Sequence, residues 1–118
     1  MICAVILAAG ESRRMGFRNK LLLPIGGETM IKKFVRSVCA SKVSEVLVVV
    51  GHDSNKIKKI LLDQPVRFVY NPSYKEGMTT SIKSGVGIAS QESDGFMICL
   101  ADFPFAEKID FNLLINAF

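Results

Sequence analysis

Ile2-Cys3-Ala4-Val5-Ile6-Leu7-Ala8, followed directly by Ala9-Gly10-Glu11-Ser12-Arg13-Arg14-Met15-Gly16, is the stretch on which the fold turns. Residues 2–8 are apolar without interruption, the pattern of a strand covered on both faces. Moving outward, residues 45–50 (Glu45-Val46-Leu47-Val48-Val49-Val50) form a second such run, and Phe96-Met97-Ile98-Cys99-Leu100 a fourth in chain order. The third lies between them. There Val66, Phe68 and Tyr70 alternate with Arg67 and Val69, as in a less buried edge strand.

Helical patterns fill the gaps. Ile31, Phe34, Val35, Val38 and Cys39 follow the i, i+3, i+4, i+7, i+8 spacing of one apolar stripe. Ile57, Ile60 and Leu61 repeat it after Asp53 and Ser54, either of which can cap a helix. Ile82, Gly85, Val86 and Ala89 give a third stripe, small enough for close contact between helix and sheet. Phe111, Leu114, Ile115 and Phe118 suggest an amphipathic helix at the end of the chain. Alternating strands and helices imply right-handed crossovers and a parallel sheet with helices on both faces. The expectation is a doubly wound, Rossmann-like three-layer α/β sandwich with a mostly parallel sheet. At 118 residues it forms one domain, 1–118.

Composition narrows the function classes. The hydrophobic fraction of 49% supplies a core, yet no stretch reaches the roughly 20 apolar residues of a membrane helix. Residues 2–7 are too short for a signal segment and have no basic stretch before them, so the cytoplasm is expected, with no membrane partner. Cys3, Cys39 and Cys99 are widely spaced, lie within apolar patterns and lack a CxxC pair, which points to packing. The net charge of +4 favours anionic partners such as nucleotides. Lys56, Lys58 and Lys59, like Lys32, Lys33 and Arg36, lack interleaved aromatics and read as solvated helix faces, with no nucleic acid implied.

In open parallel sheets, ligands bind beyond the carboxyl ends of the strands. After the first strand, Gly10 and Gly16 permit close backbone approach to an oligophosphate, and Arg14 and Lys20 supply fixed positive charge. Neither a GxxxxGK[ST] loop nor GxGxxG is present; Gly85 and Gly87 fall in a helical stripe and are assigned to packing. After the third strand, Asn71 offers donor and acceptor, and Gly77-Met78-Thr79-Thr80-Ser81 opens a helix whose free N–H groups suit an anion or a base edge. Those hydroxyls equally suit capping. After the fourth, Asp102, held by Phe103-Pro104, is placed to coordinate Mg²⁺ on a triphosphate, or to serve as a turn residue. His52, in Gly51-His52-Asp53, reads as a turn or a satisfied polar group, outside the catalytic set.

Together, Leu7-Ala8-Ala9-Gly10-Glu11-Ser12-Arg13-Arg14-Met15-Gly16 and Lys20-Leu21-Leu22-Leu23-Pro24 resemble the opening signature of the MobA-like nucleotidyltransferases, among which the molybdenum cofactor cytidylyltransferases are most similar. Asn71, residues 77–81 and Asp102-Phe103-Pro104 match later family motifs in order. The resemblance implies that Leu7, Ala8, Ala9 and Gly10 contact base and ribose through backbone groups. It assigns Arg14 and Lys20 to the triphosphate, with Lys20 also stabilising the transition state. Asn71, Gly77 and Ser81 help hold the nucleotide, and Asp102 binds Mg²⁺. Arg14, Lys20 and Asp102 form the implied catalytic set. Ala9 leans towards CTP over GTP, with molybdopterin as acceptor and pyrophosphate as leaving group.

Three departures stand beside the likeness. Ala101 and Phe103 flank Asp102 where the family has a Gly before it and a small residue or Met after it. Phe17-Arg18-Asn19 makes the phosphate segment one residue longer than in many cytidylyltransferases, a length that guanylyltransferase-like members share. The family also continues past Phe118 into an acceptor half, so the chain is expected to be truncated or naturally short, with self-association through the C-terminal helix as one consequence. The alternatives are a non-catalytic nucleotide-binding or assembly module, a GTP-using enzyme, and a sugar-phosphate or methylerythritol-phosphate cytidylyltransferase.

Overall fold

The computed structural model describes residues 2–10, 22, 24–25, 27–89, 93–100, 112 and 115. In chain order these form β1 (Ile2–Ala8), β2 (Pro24–Ile25), β3 (Glu28–Thr29), α1 (Met30–Cys39), β4 (Glu45–Val50), α2 (Ser54–Ile60), β5 (Arg67–Tyr70), α3 (Met78–Ile88) and β6 (Gly95–Leu100). Four strands pair in parallel in the order β5-β4-β1-β6. The fold is the expected α/β sandwich. One element was not anticipated: β2 and β3 make a small antiparallel hairpin, and Gly27 between them has φ +87°, which favours glycine.

Parallel register sorts the strand residues onto two faces. Ala4, Ile6 and Ala8 lie level with Val46, Val48 and Val50, and this face is sealed by Met30, Ile31, Phe34, Val35 and Val38 of α1 with Ile57 and Leu61 from the α2 segment. The stripe read from the sequence of α1 is the buried one. Each fully buried aliphatic or aromatic side chain here contributes about 1.5–3 kcal/mol. Thr29 caps α1, its hydroxyl accepting from the Lys32 amide at 3.3 Å. On the other face, Cys3, Val5, Leu47, Val49 and Val69 form a smaller cluster with Ala9. There α3 comes so close that a Cβ on Gly85 would stand 2.4 Å from Val5 Cγ1 and 3.0 Å from Val49 Cγ2.

Four expectations are corrected. Gly87 does not pack: it is exposed, and nothing lies within 4 Å of where its Cβ would be. In β5 the buried residue is Val69, while Tyr70 is exposed, because the edge strand meets the α3 side as well as the α1 side. The β6 run is covered on one face only. Its register with β1 puts Phe96, Ile98 and Leu100 on the α3 side, but α3 lies over β1, β4 and β5, leaving these residues 42%, 39% and 37% exposed. Finally, Asp53 occupies the N-cap position of α2 without a side-chain cap bond.

The cysteines are packing residues. Cys3 and Cys99 are buried and free, and burial pushes their thiols up to about 11 and about 12 respectively. Lys32 pairs with Asp63 at 3.1 Å, and Arg36 with Glu28, as solvated helix-face ion pairs do. No helix among the described residues is long and apolar enough to cross a membrane. Of the suggested C-terminal helix, residues 112 and 115 are described and helical; the rest lies outside the described residues.

Candidate functional site

Parallel strands end on one edge, so Ala8, Val50, Tyr70 and Leu100 bring the segments that follow them to the same side of the sheet. β4 and β5 lie to one side of β1, and β6 to the other. The strand order therefore reverses at the β1–β6 boundary, the kind of switch point beyond which open parallel sheets bind ligands. Leu7 pairs with both Val49 and Leu100, which commits its backbone to the ladder. Ala8 and Ala9 are buried, whereas Gly10 is exposed with open space where a Cβ would stand. Of the four expected backbone contacts, Gly10 offers the freest approach.

A second segment braces this end of β1. The His52 amide donates to the Ala9 carbonyl at 3.0 Å, tying the end of β4 to the end of β1. Gly51 lies under Tyr74, three of whose side-chain carbons would be 2.8 Å from an added Cβ. Asp53 takes a left-handed backbone, φ 56° and ψ 29°, which is unfavourable for a non-glycine residue. Its carboxylate lies 3.4 Å from His52 Nε2 and 4.0 Å from Lys56 Nζ. The His52 and Tyr74 rings are 6.1 Å apart and tilted by 44°. Sequence reasoning assigned His52 a turn role and missed the strut made by its backbone. The available signal was a glycine placed directly after a buried strand.

The third segment is a polar hub. Asn71 follows β5, is buried, and its amide N–H donates to the Val50 carbonyl at 2.8 Å. Its Oδ1 accepts from the Ser73 amide at 3.0 Å, while Nδ2 donates to Thr80 Oγ1 at 2.9 Å and Ser81 Oγ at 3.0 Å. Thr80 Oγ1 in turn lies 3.0 Å from the Ser73 carbonyl and 2.7 Å from that of Gly77. Gly77 has φ +113° and opens α3 with no side-chain cap. The hydroxyls of residues 79–81 therefore do not cap this helix. Thr79 is exposed and Ser81 buried in the first turn, where the Thr80 amide donates to the Gly77 carbonyl at 3.2 Å and the amides of Met78 and Thr79 precede the helix's own ladder.

Arg14, Gly16, Lys20 and Asp102 lie outside the described residues. The structure thus brings together Gly10, the 51–53 loop, Asn71, Gly77 and Ser81 along one sheet edge. Among the described residues, no group of three or more His, Cys, Asp or Glu converges as a metal site would.

Residues 4–118 match the family model described as a MobA-like NTP transferase domain. The chain belongs to that family. It is 28% identical over 118 residues to a probable molybdenum cofactor guanylyltransferase of Methanosarcina mazei, covering 96% of this chain and 51% of that protein. It is also 28% identical over 103 residues to the nicotine blue oxidoreductase of Paenarthrobacter nicotinovorans, covering 87% and 50% respectively. A nucleotidyl transferase from Methanothermobacter thermautotroptrophicus superposes with a TM-score of 0.88 at 30% identity, over 98% of this chain and 57% of that one. The chain spans about half the length of these relatives.

Proposed function

We propose that this chain carries the nucleotide site of an enzyme that transfers CMP from CTP to a phosphorylated acceptor of the molybdopterin type, releasing pyrophosphate. The observation that carries the reading is the reversal of strand order between β1 and β6, which sets the Ala8–Gly10 end of β1 beside the end of β6. In sequence, Arg14 and Lys20 follow the first of these strands and Asp102 the second. A fold shared with an oxidoreductase does not select the chemistry, so the reading rests on these side chains.

A phosphate oxygen of the acceptor attacks the α-phosphorus in line, and the bond to the bridging oxygen of pyrophosphate breaks. Arg14 and Lys20 bind the triphosphate and stabilise the negative charge that grows on the equatorial and leaving oxygens. Gly10 and the amides of Met78 and Thr79 at the start of α3 approach the nucleotide, and Ser81 helps hold it, with Asn71 acting through Ser81. Asp102 would hold Mg²⁺ with the phosphate oxygens, a donor set that suits a cation usually bound through one or two carboxylates and substrate. When bound, the cation supplies charge neutralisation on the triphosphate. The apolar patterning also supports a cytoplasmic location.

A second reading, transfer from GTP, is favoured by the similarity to the Methanosarcina mazei guanylyltransferase and by the length of the Phe17-Arg18-Asn19 segment. Calorimetric titration with CTP and with GTP, each with and without Mg²⁺, tests both. We expect CTP to bind more tightly, with Mg²⁺ required and Asp102→Ala or Lys20→Ala weakening binding at least tenfold. Tighter GTP binding would transfer the base preference to guanine. A folded chain that binds neither would overturn the reading and leave an assembly module.

A further inference from the structure

The hub at Asn71 determines the direction of a hydrogen bond that its distances alone do not reveal. A backbone amide can only donate, so the atom of Asn71 facing the Ser73 N–H must be Oδ1, and both protons of Nδ2 must point at Thr80 and Ser81. Thr80 is consistent, since carbonyls at 3.0 and 2.7 Å take its proton and leave its lone pair to Asn71. Ser81 Oγ is likewise held as an acceptor, and its own proton has no acceptor among the described residues. The buried Ser81 hydroxyl at the start of α3 is thereby preset to donate.

We infer that Asn71 is a positioning residue that fixes Ser81 as a hydrogen-bond donor to an acceptor atom of the bound nucleoside triphosphate, without itself touching the ligand. The inference rests on the nucleotide-site reading above. A preset donor avoids the reorientation that a free hydroxyl must undergo on binding.

Asn71→Asp is nearly isosteric but inverts the pattern: its carboxylate takes the Ser81 proton and turns the hydroxyl from the ligand. Affinities for CTP·Mg²⁺ and GTP·Mg²⁺ are measured for the unaltered chain, Asn71→Asp, Ser81→Ala and the double variant, with melting temperatures alongside. Asn71→Asp and Ser81→Ala should each weaken the bound nucleotide about tenfold, and the double variant should be no weaker than Ser81→Ala. Additive losses would overturn the inference, since a charge or folding effect of Asp would persist without Ser81.

Should Asn71→Asp not fold, Thr80→Val takes its place. It should lower the melting temperature yet keep affinity within twofold, while Ser81→Ala, which likewise leaves one Nδ2 proton of Asn71 without its acceptor, should weaken affinity about tenfold for a comparable fall in melting temperature. Affinity losses that track melting temperature in both would overturn the inference. Binding by the unaltered chain with no effect of Ser81→Ala overturns this inference alone; a folded chain that binds neither nucleotide overturns the parent reading and this one with it.

Discussion

The two faces of the sheet are built to different plans. Beneath α1 and α2 the core consists of large branched and aromatic side chains, Phe34, Ile31, Ile57 and Leu61 among them, all essentially inaccessible to solvent. Under α3 the contact is made by Gly85 against Val5 and Val49, with the buried hydroxyl of Ser81 at the same helix's start. The first face is a thick hydrophobic layer that stabilises. The second trades that layer for close approach, which brings the first turn of α3 and its N–H groups near the sheet's carboxyl edge. Beyond α3, the Phe96, Ile98 and Leu100 side of β6 is partly open. A thick apolar layer and a close helix–sheet contact thus lie on opposite sides of one sheet.

That contrast can be broken by substitution. Phe34→Ala, on the thick face, should cost about 3–5 kcal/mol, a large share of the roughly 5–15 kcal/mol that holds an ordinary domain, as read by urea denaturation. A loss under about 1.5 kcal/mol would mean that α1 is less central than its burial indicates. Gly85→Ala should cost about 1–2 kcal/mol, because the overpacking against Val5 exceeds the roughly 1 kcal/mol that alanine returns in helix propensity. Gly87→Ala, two residues further on the same helix, should stabilise by about 0.5–1 kcal/mol, since its Cβ enters open space. If both glycines respond alike, α3 does not lie against the sheet as closely as described.

The architecture was legible because burial writes itself into pattern. Residues 2–8 and 46–50 are apolar without alternation, and both lie in central strands. The α1 stripe at Ile31, Phe34, Val35 and Val38 follows from helical spacing alone. What failed was whatever depended on where a neighbour stops. Phe96-Met97-Ile98-Cys99-Leu100 has the composition of a strand covered on both faces, but α3 does not extend over it. Gly85 and Gly87 are indistinguishable in sequence, and only rotation about the helix axis separates packing from solvent.

The site divides in the same way. Asn71 and Ser81 were read as candidate ligand groups from their place after a strand, and Gly77 from the family resemblance; the structure gathers all three along one edge. That Asn71 spends all its side-chain bonds within the protein could not be read, because Ser73, Thr80 and Ser81 meet it only through the turn and the start of α3. The His52 amide strut to Ala9 is a backbone bond and leaves no side-chain signature.

The most direct test of the account is the map of amide shifts in an isotopically labelled chain titrated with CTP·Mg²⁺. Perturbations gathered at residues 8–10, 51–53 and 71–81, with α1 and α2 unmoved, are the expected result. Shifts spread over α1 and α2, or none at saturating nucleotide, would contradict the assignment of the sheet's carboxyl edge as the binding site.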